Sequence, residues 1–200
     1  MFAFHNTRYL LLIAGLLLYP VFSSLYAAAN DQRAVWQALR SGDGIAMIRH
    51  ALAPGTGDPA NFDVNDCSTQ RNLSDEGREQ AQGIGKLFKG SGMSEVRLFS
   101  SQWCRCLETA ELMVLGAVTK QPLLNSFFRN REEGNKQTAD LQQWLSQQEK
   151  VADQPLVLVT HQVNITGLTG IFPSSGEIVV IRHPAAADTA IEVIGTIETD

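Results

Sequence analysis

Three observations predict an α/β domain of three layers, α/β/α, with a mainly parallel central sheet. Short apolar runs alternate with amphipathic segments along the chain, the pattern that builds β-α-β units. The two strongest runs, Ile45–Ile48 and Leu156–Val159, have no polar alternation, which suits strands covered on both faces. Each run ends abruptly in polar residues, Arg49-His50 and Thr160-His161, and ligand chemistry in an α/β sheet gathers where strands end.

The chain of 200 residues suits one domain with a sizeable core, and 44% apolar against 18% charged residues is a globular composition. A net charge of −5 without a basic stripe argues against nucleic acid as partner, while leaving room for a local cationic pocket. Residues 1–29 read as a signal peptide and 30–200 as the folded domain. Arg8, with His5, makes a weakly positive start, Tyr9 to Tyr19 is almost wholly apolar, and Ala27-Ala28-Ala29 is a small-residue cleavage signature. The apolar run is short for a membrane span. The expectation is cleavage after Ala29 and a periplasmic or secreted protein without stable membrane insertion; the alternative is an uncleaved anchor.

Export changes how Cys67, Cys104 and Cys106 read, because two of them can pair in an oxidising compartment. Cys104 and Cys106 lie two apart on a predicted helix and point in different directions, so they are poor partners for each other. A bond from Cys67 to one of them would tie a long loop to that helix and leave the odd cysteine as a buried thiol. No CxxC or HxxxH spacing marks a metal site.

In chain order, Asn30 or Asp31 caps a helix to about Leu39, stopped by Ser41-Gly42-Asp43-Gly44. After the strand at Ile45–Ile48, the segment from Ala51 to Asn72 is rich in Gly, Pro, Asp and Asn; a loop this long is usually functional. Ser74 caps a helix to about Phe88, with Ala81, Ile84, Leu87 and Phe88 at helical spacing. A short strand lies within Glu95–Ser100, and a helix is predicted from Ser101 to Leu115. Beyond Gly116 the chain reads as irregular until a helix from Gln137 to about Glu149. The strand Leu156–Val159 precedes a short helix from about Val163. Two β-rich runs, Glu177–Arg182 and Ala190–Thr196, close the chain as expected antiparallel edge strands.

In a parallel sheet the ends of the strands at Ile48, Ser100 and Val159 share one edge. His50, His161, Arg49 and Arg105 would then converge. Clustered cations without partners are costly unless an anion is bound. Arginine forks match phosphoryl oxygens, and a neutral imidazole can attack phosphorus directly.

Arg49-His50, the segment Ser101-Gln102-Trp103-Cys104-Arg105 through Ala110, and Val159-Thr160-His161 resemble, in the right order, the three signatures of the histidine phosphatase superfamily, with its phosphoglycerate-mutase-like fold, in the smaller branch. The segment Asn72 to Ala81 also resembles the family's helix after the catalytic loop. The resemblance implies His50 as the phosphohistidine, with Arg49, Arg105 and His161 holding the phosphoryl group, and no metal or organic cofactor. It implies an exported phosphatase of phosphomonoesters, similar to members that remove phosphate from lipopolysaccharide core heptose, so that the partner is a phosphorylated small molecule or glycan. A mutase fits export poorly.

Two departures bear on the chemistry. Ala51 follows His50 where the family usually has glycine. The family's acid position, in a Leu-x-Glu pattern, is Ser126 in Leu124-Asn125-Ser126, while Glu133-Gly134 matches a later Glu-Gly. Glu133 is therefore the expected general acid, with Glu132, Asp63 and Asp66 as alternatives. Thr56, Gln70 and Arg71 on the long loop are further substrate-contact candidates, and His183 reads as structural. The rival reading is a degenerate member that binds phosphate or glycan without turnover. Other hydrolase classes lack their marks: there is no Cys-x5-Arg loop, Gly-x-Ser-x-Gly elbow or Walker loop.

Overall fold

A computed structural model of the chain describes residues 32–199. The expected signal segment and its cleavage point lie outside the described residues. The described residues open in a helix over residues 32–41 (α1) and enter the first described strand, β1 (Gly44–Arg49). Then follow α2 (Asp75–Gly90), β2 (Arg97–Ser100), α3 (Cys104–Met113), β3 (Val118–Lys120), α4 (Gly134–Ser146), β4 (Leu156–Thr160), α5 (Gln162–Thr169), β5 (Ile178–Arg182) and β6 (Val193–Ile197).

The strands form one sheet in the order β3-β2-β4-β1-β5-β6. Strands β3, β2, β4 and β1 run parallel, and β5 and β6 add antiparallel at one side, as expected for the tail. The central strands β1 and β4 are apolar up to their carboxyl ends, Arg49 and Thr160, because both faces are covered. Alternation sends Ala46, Ile48, Val157 and Val159 to one face, where they pack with Val35 and Leu39 of α1, Ile84 and Phe88 of α2, and Ala110 and Met113 of α3. Ile45, Met47, Leu156 and Leu158 face the other way, onto Leu141 and Leu145 of α4 and Ile165 and Leu168 of α5. These are the three layers of a phosphoglycerate-mutase-like α/β fold.

Ser74 caps α2 as expected, its hydroxyl accepting from the Gly77 N–H, with Asp75 and Glu76 in the first turn favouring the helix dipole. Gly77 is required for a different reason: a Cβ there would overlap the Leu52 carbonyl, so its absence lets the chain just after His50 lie against the helix.

Several boundaries differ from the sequence reading. Helix α3 starts at Cys104, not Ser101, because Trp103 is extended (ψ 137°) and the Ser101 hydroxyl accepts from the Trp103 N–H in a local turn. The stretch after Gly116 contains β3, three residues that pair along β2 and are too short to show a period. Helix α4 starts three residues early, because a 3-10 turn at Arg131–Glu133 runs into it.

Candidate active site

Strands β2, β4 and β1 are neighbours, and their registers bring their carboxyl ends level: Ser100 pairs with Val159, and Ile48 with Val159 from the other side. The His50 N–H donates to the Thr160 carbonyl at 2.9 Å and the Ser101 N–H to the Val159 carbonyl at 2.9 Å. The two imidazoles therefore stand side by side, with ring centres 5.5 Å apart. Arg105 joins them from the first turn of α3. The sheet edge thus assembles all four residues expected there.

A cavity of about 400 Å³ opens over this edge. Its wall includes Arg49, His50, Arg105 and His161, with Arg71 and Thr56 from the long loop and Ser126 from the segment before α4. Arg49 donates to the Pro173 carbonyl at 2.9 Å, and Arg71 donates to the carbonyls of Gly57 and Ala53. Burial, then the charge of Arg105, lowers the pKa of both Arg49 and Arg71, a sign of cations crowded together. The Nε–H groups of Arg49 and Arg105 are buried without an acceptor among the described residues. Such a set is built for an anion.

His50 is 3% exposed, and its Nδ1 lies 2.8 Å from the Ala51 carbonyl. A carbonyl only accepts, so the proton sits on Nδ1 and the Nε2 lone pair is free. Burial and then Arg105 hold its pKa well below the ordinary histidine value, so the ring is neutral at neutral pH. His161 is lowered by the same two causes, in the same order. Its Nδ1 accepts from Arg105 at 3.4 Å, which leaves Nε2–H to donate to the Ser101 hydroxyl at 2.9 Å. Ser101 in turn donates to Asn125 at 3.2 Å, fixing the ring's orientation.

The long loop is fastened by the Cys67–Cys104 disulfide, which leaves Cys106 as a buried free thiol beside His161. Burial pushes that thiol up to about 12, so it is not a nucleophile. Gln70 is buried and structural: its side-chain carbonyl accepts from the Cys104 N–H at 2.9 Å, taking up a free donor at the start of α3. Asp66 caps a 3-10 turn at Cys67–Thr69, and Asp63 accepts from Asn65 within its own turn. Neither carboxylate lines the cavity. Glu132 and Glu133 are exposed on the turn before α4 and are likewise absent from its wall, so the expected acid is not placed with the histidines.

The carboxylate that does line the cavity is Asp58, which sequence reasoning passed over. It forms a bidentate pair with Arg105, at 2.7 and 3.3 Å. The one available signal was its place in Gly55-Thr56-Gly57-Asp58-Pro59, a turn-forming run close behind His50. Aromatic residues complete the wall: Phe62 stacks on Trp103 with centres 4.9 Å apart, and Phe128 and Phe172 stand at the mouth.

The sequence profile of the histidine phosphatase superfamily, branch 1, matches residues 45–157, and the chain belongs to that family. No curated protein matches the sequence. Among solved structures, the protein histidine phosphatase SixA complexed with tungstate is similar, at 16% identity and a TM-score of 0.54, over 78% of this chain and 96% of that one. Mycobacterial glucosyl-3-phosphoglycerate phosphatase is similar at 15% identity and 0.54, over 79% and 97%. A mutant phosphoserine phosphatase from Entamoeba histolytica in complex with phosphoserine is similar at 15% and 0.53, over 76% and 95%. At such identities the likeness speaks for the fold alone.

Proposed function

We propose that the protein is a phosphatase that hydrolyses phosphomonoesters through a phosphohistidine on His50. The observation that carries this reading is the free Nε2 of a buried, neutral His50 in a cavity walled by four arginines, Arg49, Arg71, Arg105 and Arg129. A substrate phosphoryl group binds to Arg49, Arg71, Arg105 and His161. Nε2 attacks phosphorus in line, and the spread negative charge of the transition state is stabilised by cations already in place. Water then cleaves the phosphohistidine and releases phosphate.

The substrate we propose is a phosphorylated sugar or glycan met outside the cytoplasm, lipopolysaccharide core heptose phosphate being the instance that the family resemblance favours. Aromatic residues at the cavity mouth support a ring-bearing leaving group, since they offer apolar faces with polar neighbours. The Cys67–Cys104 disulfide supports residence in an oxidising compartment, consistent with removal of residues 1–29 on export.

The test is phosphate release from p-nitrophenyl phosphate by wild type and His50→Ala. Wild type turns over, and the variant falls by on the order of 10⁴-fold or more, as expected for loss of a nucleophile. Equal phosphate binding by both proteins with turnover by neither would establish the binding-module reading instead. A panel of phosphosugars and lipopolysaccharide then addresses the substrate; no release from the latter removes it.

A further inference from the structure

The phosphatase reading leaves one proton unassigned, and the inference that follows rests on that reading. An alkoxide is a poor leaving group, so hydrolysis of an alkyl phosphate requires an acid within reach of the bridging oxygen. Among the described residues that wall the cavity, Asp58 is the one carboxylate. Its side chain is 9% exposed. Oδ1 accepts from Arg105 Nη1 at 2.7 Å and the Arg71 N–H at 3.1 Å; Oδ2 accepts from Arg105 Nη2 at 3.3 Å and Trp103 Nε1 at 3.2 Å. From the segment before α4, Arg129 holds the backbone carbonyls of Asp58 and Pro59. The charged and titratable groups around Asp58 are thus Arg105 from α3, Arg71 from its own loop and Arg129. His50, His161 and Arg49 share the cavity, and Cys106 lies against His161.

We propose that Asp58 is the general acid of the reaction, and that substrate arms it by taking Arg105 away from it. One guanidinium fork fits a carboxylate and a phosphoryl group equally well, so the two compete for Arg105. Without substrate, burial raises the Asp58 carboxyl, but its hydrogen bond and charge pairing with Arg105, together with the bonds from the Arg71 N–H and Trp103, hold it below the ordinary range. Such a group is an anion and donates nothing. When a phosphate dianion occupies Arg105, Asp58 loses its cation and gains a neighbouring anion. Both changes favour the protonated form. The carboxylate therefore takes up a proton from solvent as substrate binds.

The chemistry then balances. As the Nε2–P bond forms and the P–O bond breaks, the Asp58 proton passes to the leaving oxygen and the alcohol departs. The Asp58 carboxylate accepts a proton from the water that attacks phosphorus. The N–P bond breaks, inorganic phosphate leaves with the water oxygen, and His50 returns neutral. Re-pairing with Arg105 returns the Asp58 proton to solvent.

Asp58→Asn tests this, because the amide keeps the shape and cannot donate an acid proton. Turnover of an alkyl ester such as glycerol 2-phosphate falls about 100-fold or more, whereas p-nitrophenyl phosphate, whose leaving group needs little protonation, falls less than about 10-fold. Inorganic phosphate binds the variant more tightly than wild type, since the competing carboxylate is gone. Calorimetry in two buffers of different ionisation enthalpy shows proton uptake on phosphate binding to wild type in excess of that for the variant. If both esters fall equally while His50→Ala still abolishes turnover, or if phosphate binding weakens, Asp58 is a positioning residue and the inference is overturned. Wild type that turns over neither ester overturns the phosphatase reading, and the role of Asp58 with it.

Discussion

The carboxyl edge of the sheet and the loop over residues 51–72 wall the same cavity, but different forces hold them. The edge is anchored from behind by apolar packing: Ile48, Val157, Leu158 and Val159 have no exposed surface. His50 and His161 occupy fixed positions because strand register allows no other. Beyond its first residues, the buried Ala51 and Ala53, the loop has little such support apart from Phe62 stacked on Trp103. From residue 54 to residue 72, Gln70 alone is buried. Its order comes instead from side chain to backbone bonds made by Asp63, Asp66, Thr69, Gln70 and Arg71, and from one disulfide. Polar bonds of this kind contribute about 1 kcal/mol each, against about 1.5–3 kcal/mol for a buried aliphatic side chain. The lesson is a division of labour: the packed edge carries the groups proposed to react, and the loop brings Thr56, Asp58, Phe62 and Arg71 to them.

The largest effect that separates the two regions comes from Arg105→Lys. Lysine keeps the charge and can still face Asp58, but it loses the fork that matches a phosphoryl group. Turnover of p-nitrophenyl phosphate is expected to fall about 10²–10³-fold, the usual loss when one preset transition-state donor is removed. Thermal unfolding is expected to change little by comparison. A variant that melts early and keeps its kcat would mean that Arg105 serves the fold rather than the phosphoryl group.

A smaller effect, of opposite character, comes from removing the disulfide by Cys67→Ser with Cys104→Ser. The bond spans 37 residues of sequence, for which loop-closure entropy gives about 3–4 kcal/mol of stability. Denaturant titration should show a loss of about 2–4 kcal/mol. Because His50, the proposed nucleophile, directly follows β1, kcat for an aryl phosphate should persist below the new melting range while KM rises. Should kcat collapse with the fold intact, the loop would be holding His50 in place, and the division of labour would fail.

The same contrast explains what the sequence made legible. Periodicity and turn residues revealed the five longer strands, the helices and the shared edge, because register follows from apolar runs. His50, Arg49, Arg105 and His161 were readable since each sits within two residues of an element's end. The acid was not. Glu133 matched a sequence pattern, but the 3-10 turn before α4 leaves it exposed, away from the cavity wall. Asp58 lies in a loop whose path depends on a distant disulfide and on Gln70 reaching the start of α3, neither of which has a local periodic signal. Strand β3 escaped for a similar reason: its three residues are ordered by the neighbouring edge of β2.

The smallest expected effect per group is the pH dependence of stability, and it places the two regions in different windows. At the edge, His50 and His161 have pKa values held well below the ordinary 6.5, by burial first and by Arg105 second. The unfolded chain therefore binds protons below pH 6.5 that the folded chain does not. Their contribution is complete above that pH and is lost as pH falls, at up to about 1.4 kcal/mol per pH unit for each ring. In the loop, Asp58 is lowered from 3.8, with burial acting upward and the contacts from Arg105, the Arg71 N–H and Trp103 together acting downward more strongly. Its contribution is present above pH 3.8 and is lost only in more acid solution. Urea titrations between pH 7.5 and 5 should therefore show a decline that belongs to the edge and to His183, which burial also holds below 6.5. His161→Gln should flatten part of that decline, and Asp58→Asn should leave its slope unchanged. An equal flattening by both substitutions would show that edge and loop titrate as one coupled unit through Arg105.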